Sequence, residues 1–453
     1  MPNSTIAAVS TPVGEGGIGI VRISGDEAFL VADTVFKSKS GKTISEIAGY
    51  SALFGKVYDG EEFIDTAIAI KFCAPKSYTG ENTVELSVHG GSFVLNKLLR
   101  AVLKAGATPA GAGEFTKRAF LNGKLDLTEA ESVMAIISAE NDAQLRMANA
   151  ALSGKVSQKI KEIEEILLST AASVAVYSDY PEEYLPELEG QEFFNNLNHA
   201  VELLDTMLNE YDIGVKIKNG IKTAILGKPN VGKSTLMNLI SGAEKSIVTS
   251  VAGTTRDVLE ETVNIKGTML LLYDTAGIHE TNDEVEKIGV MRSIKKIEEC
   301  DIFLCVFDTS VPICDDDIKL IEKLQGKTCI AVLNKSDIKT FDYTPYIKDM
   351  PFVLISAKDG IGKNELLAKI EELAKTGGFK ADSGVLLNQR QYNSAHKARN
   401  AVNDAINART MGLTTDAVGI CIDEALTELY ALTGKRVTNE VADEVFRNFC
   451  VGK

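Results

Sequence analysis

The sequence has no run of about 18 consecutive apolar residues, which excludes a membrane-spanning helix of ordinary length. Its seven cysteines, at 73, 300, 305, 314, 329, 421 and 450, are odd in number and form no C-x-x-C pair. That argues against a disulfide framework and against a structural zinc site, and four histidines add little metal-binding capacity. The opening stretch MPNSTIAAVSTPVGEGG has neither a basic n-region nor an apolar h-region, so a cytoplasmic protein is expected. Positive charge is in deficit: 48 Lys and Arg face 63 Asp and Glu, a formal charge of -15. The mean field therefore repels nucleic acid, and any RNA contact must come from a local basic patch. There is no internal repeat, no low-complexity tract and no Lys/Arg-rich stripe.

What is present is ordinary globular material: 453 residues, 45% hydrophobic and 25% charged, enough for two to four domains. From Thr5 to Phe120, short apolar runs such as IGIVRI and TAIAIKF alternate with Gly-containing turns, and FVLNKLLRAVLKAG reads as a helix. This is an α+β pattern. The texture then turns helical, with Ile160, Ile163 and Leu167, then Leu197, Val201 and Leu204, at helical spacing. The intervening SDYPEEYLPELEG is acidic and holds two prolines, so it reads as an exposed connection. From Ile221 to Lys375, apolar strands alternate with amphipathic helices, as in a parallel α/β sheet, and the remainder is helical again. The expected fold class is therefore multidomain, with an α/β domain inserted in a helical one. The expected boundaries are 1–120, 121–216, 217–378 and 379–453.

The segment AILGKPNVGKSTLMNLI carries G-x-x-x-x-G-K-S between an apolar strand and a helix, the context a phosphate-binding loop requires. Gly227 and Gly232 let backbone amides face phosphate, Lys233 neutralises its oxygens, and Ser234 offers a hydroxyl to Mg²⁺. Asn230, Val231 and Thr235 complete the expected loop. LLLYDTAG ends a strand with Asp274 and continues through Thr275 and Ala276 to Gly277, whose amide suits a γ-phosphate. Two later strands end in AVLNKSD and VLISAK. Asn334 and Asp337 fit guanine, because a carboxylate accepts from N1–H and the 2-amino group, which adenine does not offer. Lys335 is expected on the base face, and Ser356, Ala357 and Lys358 around the guanine oxygen, with Ala357 giving an amide. Between these lies VTSVAGTTRD, where Thr249, Ser250, Val251, Ala252, Gly253 and Thr254 lead to Thr255, the candidate switch hydroxyl for Mg²⁺. The co-occurrence points to a Ras-like GTPase binding GTP.

A water-positioning glutamine follows DTAG in Ras-like proteins, but here the residue is Ile278. Isoleucine cannot orient water. Glu280, Asp283, Glu284 and Glu286 stand close behind, and spacing alone does not separate them. The side-chain oxygen of Asn230, with switch-loop carbonyls, could hold a monovalent cation where other enzymes use an arginine finger.

With these residues assembled, the chain resembles the MnmE (TrmE) family of tRNA modification GTPases over essentially its whole length. The resembling landmarks are STIAAVSTPVGEGGIGIVRISG, SYTGENTVELSVHGG, GEFTKRAFLNGKLDLTEAE, the GTPase motifs above, DTAGIHETNDEVE and the ending FCVGK. The resemblance implies an N-terminal α+β domain that binds folate and dimerises, a discontinuous helical domain and an inserted GTPase domain. It implies a FAD-dependent partner, MnmG (GidA), and tRNA as substrate. The joint product is an aminomethyl or carboxymethylaminomethyl group on C5 of the wobble uridine. The one-carbon unit would come from a tetrahydrofolate derivative, 5-formyl or methylene, and hydrolysis would be stimulated by K⁺ and by pairing of two GTPase domains in a homodimer.

Carried over by position, the resemblance gives K⁺ to Asn230, Thr249, Val251 and Thr254, Mg²⁺ to Ser234 and Thr255, and water positioning to Glu286. Arg22, Glu85 and Lys124 match folate-binding positions, and Lys453 joins them if the tail folds back. Cys450 is then either a nucleophile or redox thiol, or an inert packed one. Read alone, Cys450-Val451-Gly452-Lys453 has only a poor prenylation register, since Gly452 is not aliphatic. Phe446, Phe449 and Val451 instead predict a packed end. Departures are Val451 for the family's usual isoleucine, His279 for an arginine, and Glu15 within PVGEGG. A ribosome-assembly GTPase of the Era or Der kind, or a folate-binding regulatory scaffold, are the alternatives.

Overall fold

The computed structural model describes residues 4–12, 14–179, 191–242, 260–265, 268–274, 300–338, 340–347, 350–373, 380–436, 439–447 and 449–453. The chain divides into two compact units, one of 1–137, 151–204 and 388–453, the other of 138–150 and 205–387. The second unit thus consists of two segments that interrupt the sequence of the first at two places.

In the first unit, strands β1 (Ile6–Val9), β2 (Gly16–Ser24), β3 (Phe36–Ser38), β4 (Ser51–Asp59), β5 (Glu62–Phe72), β6 (Thr83–Gly90) and β7 (Thr108–Pro109) form one sheet in the order β3-β4-β5-β6-β2-β1-β7. Period-2 alternation decides which face is buried: in β2 and β6, Val21, Ile23, Val84 and Leu86 are inside, while Arg22 and Glu85 point the other way. The helices Ala28–Val35 and Ser92–Lys104 join the buried face through Val31, Leu95, Leu98 and Val102. The helix read from FVLNKLLRAVLKAG is therefore present, and its apolar stripe closes the α+β core.

Helices Glu114–Leu121, Leu127–Ile137, Lys155–Asp179, Gln389–Thr410, Thr415–Thr433 and Asn439–Arg447, with the first half of Gln191–Asn219, also belong to this unit. Ile160, Ile163 and Leu167 are fully buried, as their spacing predicts. Gln389–Thr410 carries the buried alanines 395, 398, 401, 405 and 408, and small residues let the neighbouring Thr415–Thr433 approach closely. An Arg390–Glu131 fork, with N–O distances of 2.8 and 2.7 Å, ties Leu127–Ile137 to Gln389–Thr410.

The second unit holds β8 (Ile221–Leu226), β9 (Glu260–Ile265), β10 (Thr268–Asp274), β11 (Ile302–Asp308), β12 (Cys329–Asn334) and β13 (Phe352–Leu354), in the order β13-β12-β11-β8-β10-β9. Among the described residues, only the pairing of β9 with β10 is antiparallel in this sheet. β12 is buried along its entire length and β11 along all but its last residue, the signature of a parallel sheet covered on both faces. β8 has β10 on one side and β11 on the other, so the strand order reverses there. Such a switch point opens a crevice at the carboxyl ends of the strands, where loops can hold a ligand. Among the described residues, no helix is long and apolar enough to cross a membrane.

Candidate nucleotide site and the cluster at the tail

β8 runs into the loop 227–232 and then the helix Lys233–Ser241 at the switch point. Gly232 has φ +100°, and a Cβ there would lie 2.3 Å from Asn334 Nδ2, so the position admits only glycine. Asn230 also has a left-handed backbone, φ 64°, which asparagine tolerates better than most residues. Ser234 and Thr235 are exposed in the first helical turn, while Val231 is buried. This is a helix N-terminus with free-facing hydroxyls, a fit for phosphate and a hard cation. Lys233 is buried and donates to Gly227 O at 2.8 Å and Lys228 O at 2.9 Å.

Asn334 connects the loops. Its Nδ2 donates to Val231 O at 2.8 Å, and its Oδ1 accepts from the Ala357 amide at 3.0 Å. The NKSD segment, the phosphate loop and the SAK segment are thereby held in one frame. Asn334 is 3% exposed, and its second Nδ2 hydrogen is what the side chain has left to offer a base. The Ala357 amide, expected on the guanine oxygen, here serves Asn334. Lys335 takes a left-handed backbone, φ 67°, and its ammonium pairs with Asp308. Ser356 is buried and bonded to Asp359, while Asp337 and Lys358 are exposed at the mouth. Burial opposes the charge of Asp308, but the hydrogen bonds from Lys335 and Ser310 outweigh it and hold the carboxyl below its usual range.

Lys228, in a variable position of the motif, was not legible as functional. It donates to Asp317 Oδ2 at 2.7 Å and Cys314 Sγ at 3.0 Å, at the start of the helix Asp315–Lys323. Burial disfavours its charge, yet these bonds raise its pKa above the ordinary lysine value. Asp274 ends β10 beside Ile225. Thr249, Ser250, Val251, Ala252, Gly253, Thr254, Thr255, Thr275, Ala276, Gly277, Ile278, His279, Glu280, Asp283, Glu284 and Glu286 lie outside the described residues.

In the first unit, Arg22 on β2 stands in register with Glu85 on β6, and Arg22 Nε donates to Glu85 Oε1 at 2.9 Å. The guanidinium lies 5.5 Å from the ring centroids of both Tyr78 and Phe115. Tyr78 OH shares a 2.8 Å hydrogen bond with Thr116 Oγ1, and burial raises its phenol pKa. Lys124 reaches the same loop as Tyr78, donating to Pro75 O at 3.2 Å. The chain end comes to this cluster. Gly113 N donates to Cys450 O at 3.2 Å, Ala112 bridges Val451, and Phe115 N donates to Lys453 O at 3.1 Å. Gly452 O accepts from Ser10 Oγ at 3.0 Å and lies 3.5 Å from Arg22 Nη1.

The tail is thus placed beside Arg22 and Glu85, with Lys124 anchored nearby through Pro75. Phe446 and Phe449 are packed, as expected, but Val451 is 60% exposed because the bridge turns its side chain outward. Cys450 is exposed. A guanidinium flanked by rings and a carboxylate, beside an ordered carbonyl, fits a flat, polar-edged heterocycle with an acidic appendage. Tyr78 and Phe115 lie within the landmarks SYTGENTVELSVHGG and GEFTKRAFLNGKLDLTEAE, but their spacing gives no hint that they flank Arg22.

A family model described as MnmE helical domain matches residues 127–450, and one described as GTP-binding protein TrmE N-terminus matches residues 5–124. A tRNA modification GTPase MnmE from Clostridioides difficile is 40% identical over 456 residues, covering 100% of this chain and 99% of its own. Another, from Caldicellulosiruptor saccharolyticus, is 40% identical over 464 residues with 100% of both chains covered. Among solved structures, the G domain of the T. maritima FeoB iron transporter is 27% identical and covers 34% of this chain and 99% of its own. Its TM-score of 0.27 gives it no weight here.

Proposed function

Because this chain belongs to the MnmE (TrmE) family of tRNA modification GTPases, we propose that its GTPase activity serves the modification of C5 of the wobble uridine in tRNA. The proposed partner is the FAD-dependent flavoprotein MnmG, and the one-carbon source a tetrahydrofolate derivative. The proposed parts are an N-terminal folate-binding and dimerisation domain (1–120), a helical domain in two segments (121–216 and 379–453) and an inserted GTPase domain (217–378). The observation that carries the reading beyond GTP hydrolysis is the tail carbonyl of Gly452 beside the Arg22–Glu85 pair. The relatives that match over the full chain are tRNA modification GTPases, which favours that role over one on ribosomal RNA.

In the GTPase domain, loop amides and Lys233 would hold the phosphates, Ser234 and Thr255 the Mg²⁺, and Asp337 the guanine edge. Asn230 with Thr249, Val251 and Thr254 would hold K⁺. Bound there, the cations supply positive charge where it is needed as the γ-phosphate leaves. Glu286 positions the attacking water and takes its proton through a bridging water, replacing the glutamine that Ile278 cannot mimic. In the N-terminal domain, Arg22, Glu85, Lys124 and Lys453 would orient the folate, with Cys450 either a nucleophile or redox thiol beside it or an inert one. The reading is tested by combining the protein with the flavoprotein, tRNA, GTP, K⁺ and methylene-tetrahydrofolate, then analysing the nucleosides by mass spectrometry. Modified uridine that depends on this protein, GTP and the folate is expected; its formation without the folate would remove the N-terminal reading.

A further inference from the structure

We propose that Asp308 is a positioning residue of the base site, one that fixes Lys335 so that its methylene stem forms a shelf for the purine plane. This rests on the reading of NKSD as the guanine segment. Asp308 is the last residue of β11 and the register partner of Asn334 on β12. Its two carboxylate oxygens have different tasks. Oδ1 accepts from the Ser310 amide at 3.0 Å and also from the Ser310 hydroxyl, which fixes the carboxylate against its own backbone. Oδ2 takes the Lys335 ammonium.

The backbone around Asp308 is held as firmly. Asp308 O accepts from the buried Tyr343 hydroxyl at 3.0 Å. The next residue, Thr309, donates to Asn334 O from its amide at 3.1 Å and from Oγ1 at 2.8 Å. The segment 308–310 therefore supports Asn334 through the main chain and Lys335 through a side chain.

A free lysine stem has four rotatable bonds, and ordering it costs rotamer entropy. With Nζ tied to a carboxylate that is itself clamped, and with Cα held in the left-handed region, both ends of the Lys335 stem are fixed before a nucleotide arrives. The apolar stem is what remains for a base to lie on. A shelf of this kind serves any purine, whereas Asp337 reads the hydrogen-bonding edge.

The test is a double-mutant cycle on the full-length protein, measuring GDP and inosine diphosphate affinities of wild type, Asp308→Asn, Lys335→Met and the double variant. Asparagine keeps an oxygen for Ser310, and melting temperatures without nucleotide show whether the fold is retained. The expected result is that Asp308→Asn weakens both nucleotides about tenfold, with their ratio unchanged. In the Lys335→Met background it should weaken neither further. Equal losses in both backgrounds, or no loss in wild type, would overturn the positioning role. Unchanged GDP binding by Lys335→Met would overturn the base-site reading beneath it, a separate and distinguishable failure.

Discussion

Asn334 and Val231 are 103 positions apart in sequence, yet the Asn334 amide donates to the Val231 carbonyl at 2.8 Å inside the site. A single side chain thus ties the loop proposed to face phosphate to the segment proposed to face the base. Replacing it with alanine strands a buried carbonyl at Val231 and a buried amide at Ala357. Two such losses at about 1–1.5 kcal/mol each predict GDP binding weaker by about a hundredfold. Fluorescent-nucleotide titration of Asn334→Ala measures this, and affinity within a factor of three of wild type would contradict it.

The tail depends on one backbone conformation. Gly452 has φ +96°, and a Cβ there would lie 2.2 Å from Val9 O. Gly452→Ala should therefore displace the last residues, at a cost of about 1–3 kcal/mol to the docked conformation. Folate affinity is expected to fall about tenfold or more while GTP binding is unchanged. Isothermal titration with 5-formyl-tetrahydrofolate is the measurement, and an unaltered constant would detach the tail from that site.

The motifs of the proposed nucleotide site were legible because they are local: the phosphate loop, NKSD and SAK each lie within a few residues of chain. The partners that hold those motifs in place were not legible. Lys228 meets Asp317 across 89 positions, and Ser10 meets Gly452 across 442. Such pairs are set by strand order and by where a helix returns, which no local spacing encodes. Val451 shows the same limit at small scale: hydrophobicity predicted burial, but its place in a bridge turned it to solvent.

The Asp308–Lys335 pair predicts a pH signature. Asp308 has a folded-state pKa lowered from 3.8. A depressed carboxyl contributes stability that is fully present above its unfolded pKa and lost as pH falls through the folded value. The stability difference between wild type and Asp308→Asn should therefore be constant near neutrality and shrink through the acid range below the ordinary carboxylate pKa. Denaturant unfolding of both proteins across that range checks the sign; a difference that grows on acidification would refute it.

The cation proposal concerns Asn230, whose left-handed backbone sits in the phosphate loop. Steady-state GTP hydrolysis is expected to be about tenfold or more faster in K⁺ than in Na⁺, and Asn230→Ala should erase the difference. Equal rates in the two salts would sink the proposal and leave a slow GTPase that needs an outside activator.

If GTP hydrolysis drives tRNA modification, Glu286→Ala tests that coupling most directly in the reconstituted system with flavoprotein, folate and tRNA. Hydrolysis and modified wobble uridine should be lost together while GTP still binds. Full modification with hydrolysis abolished would contradict the account.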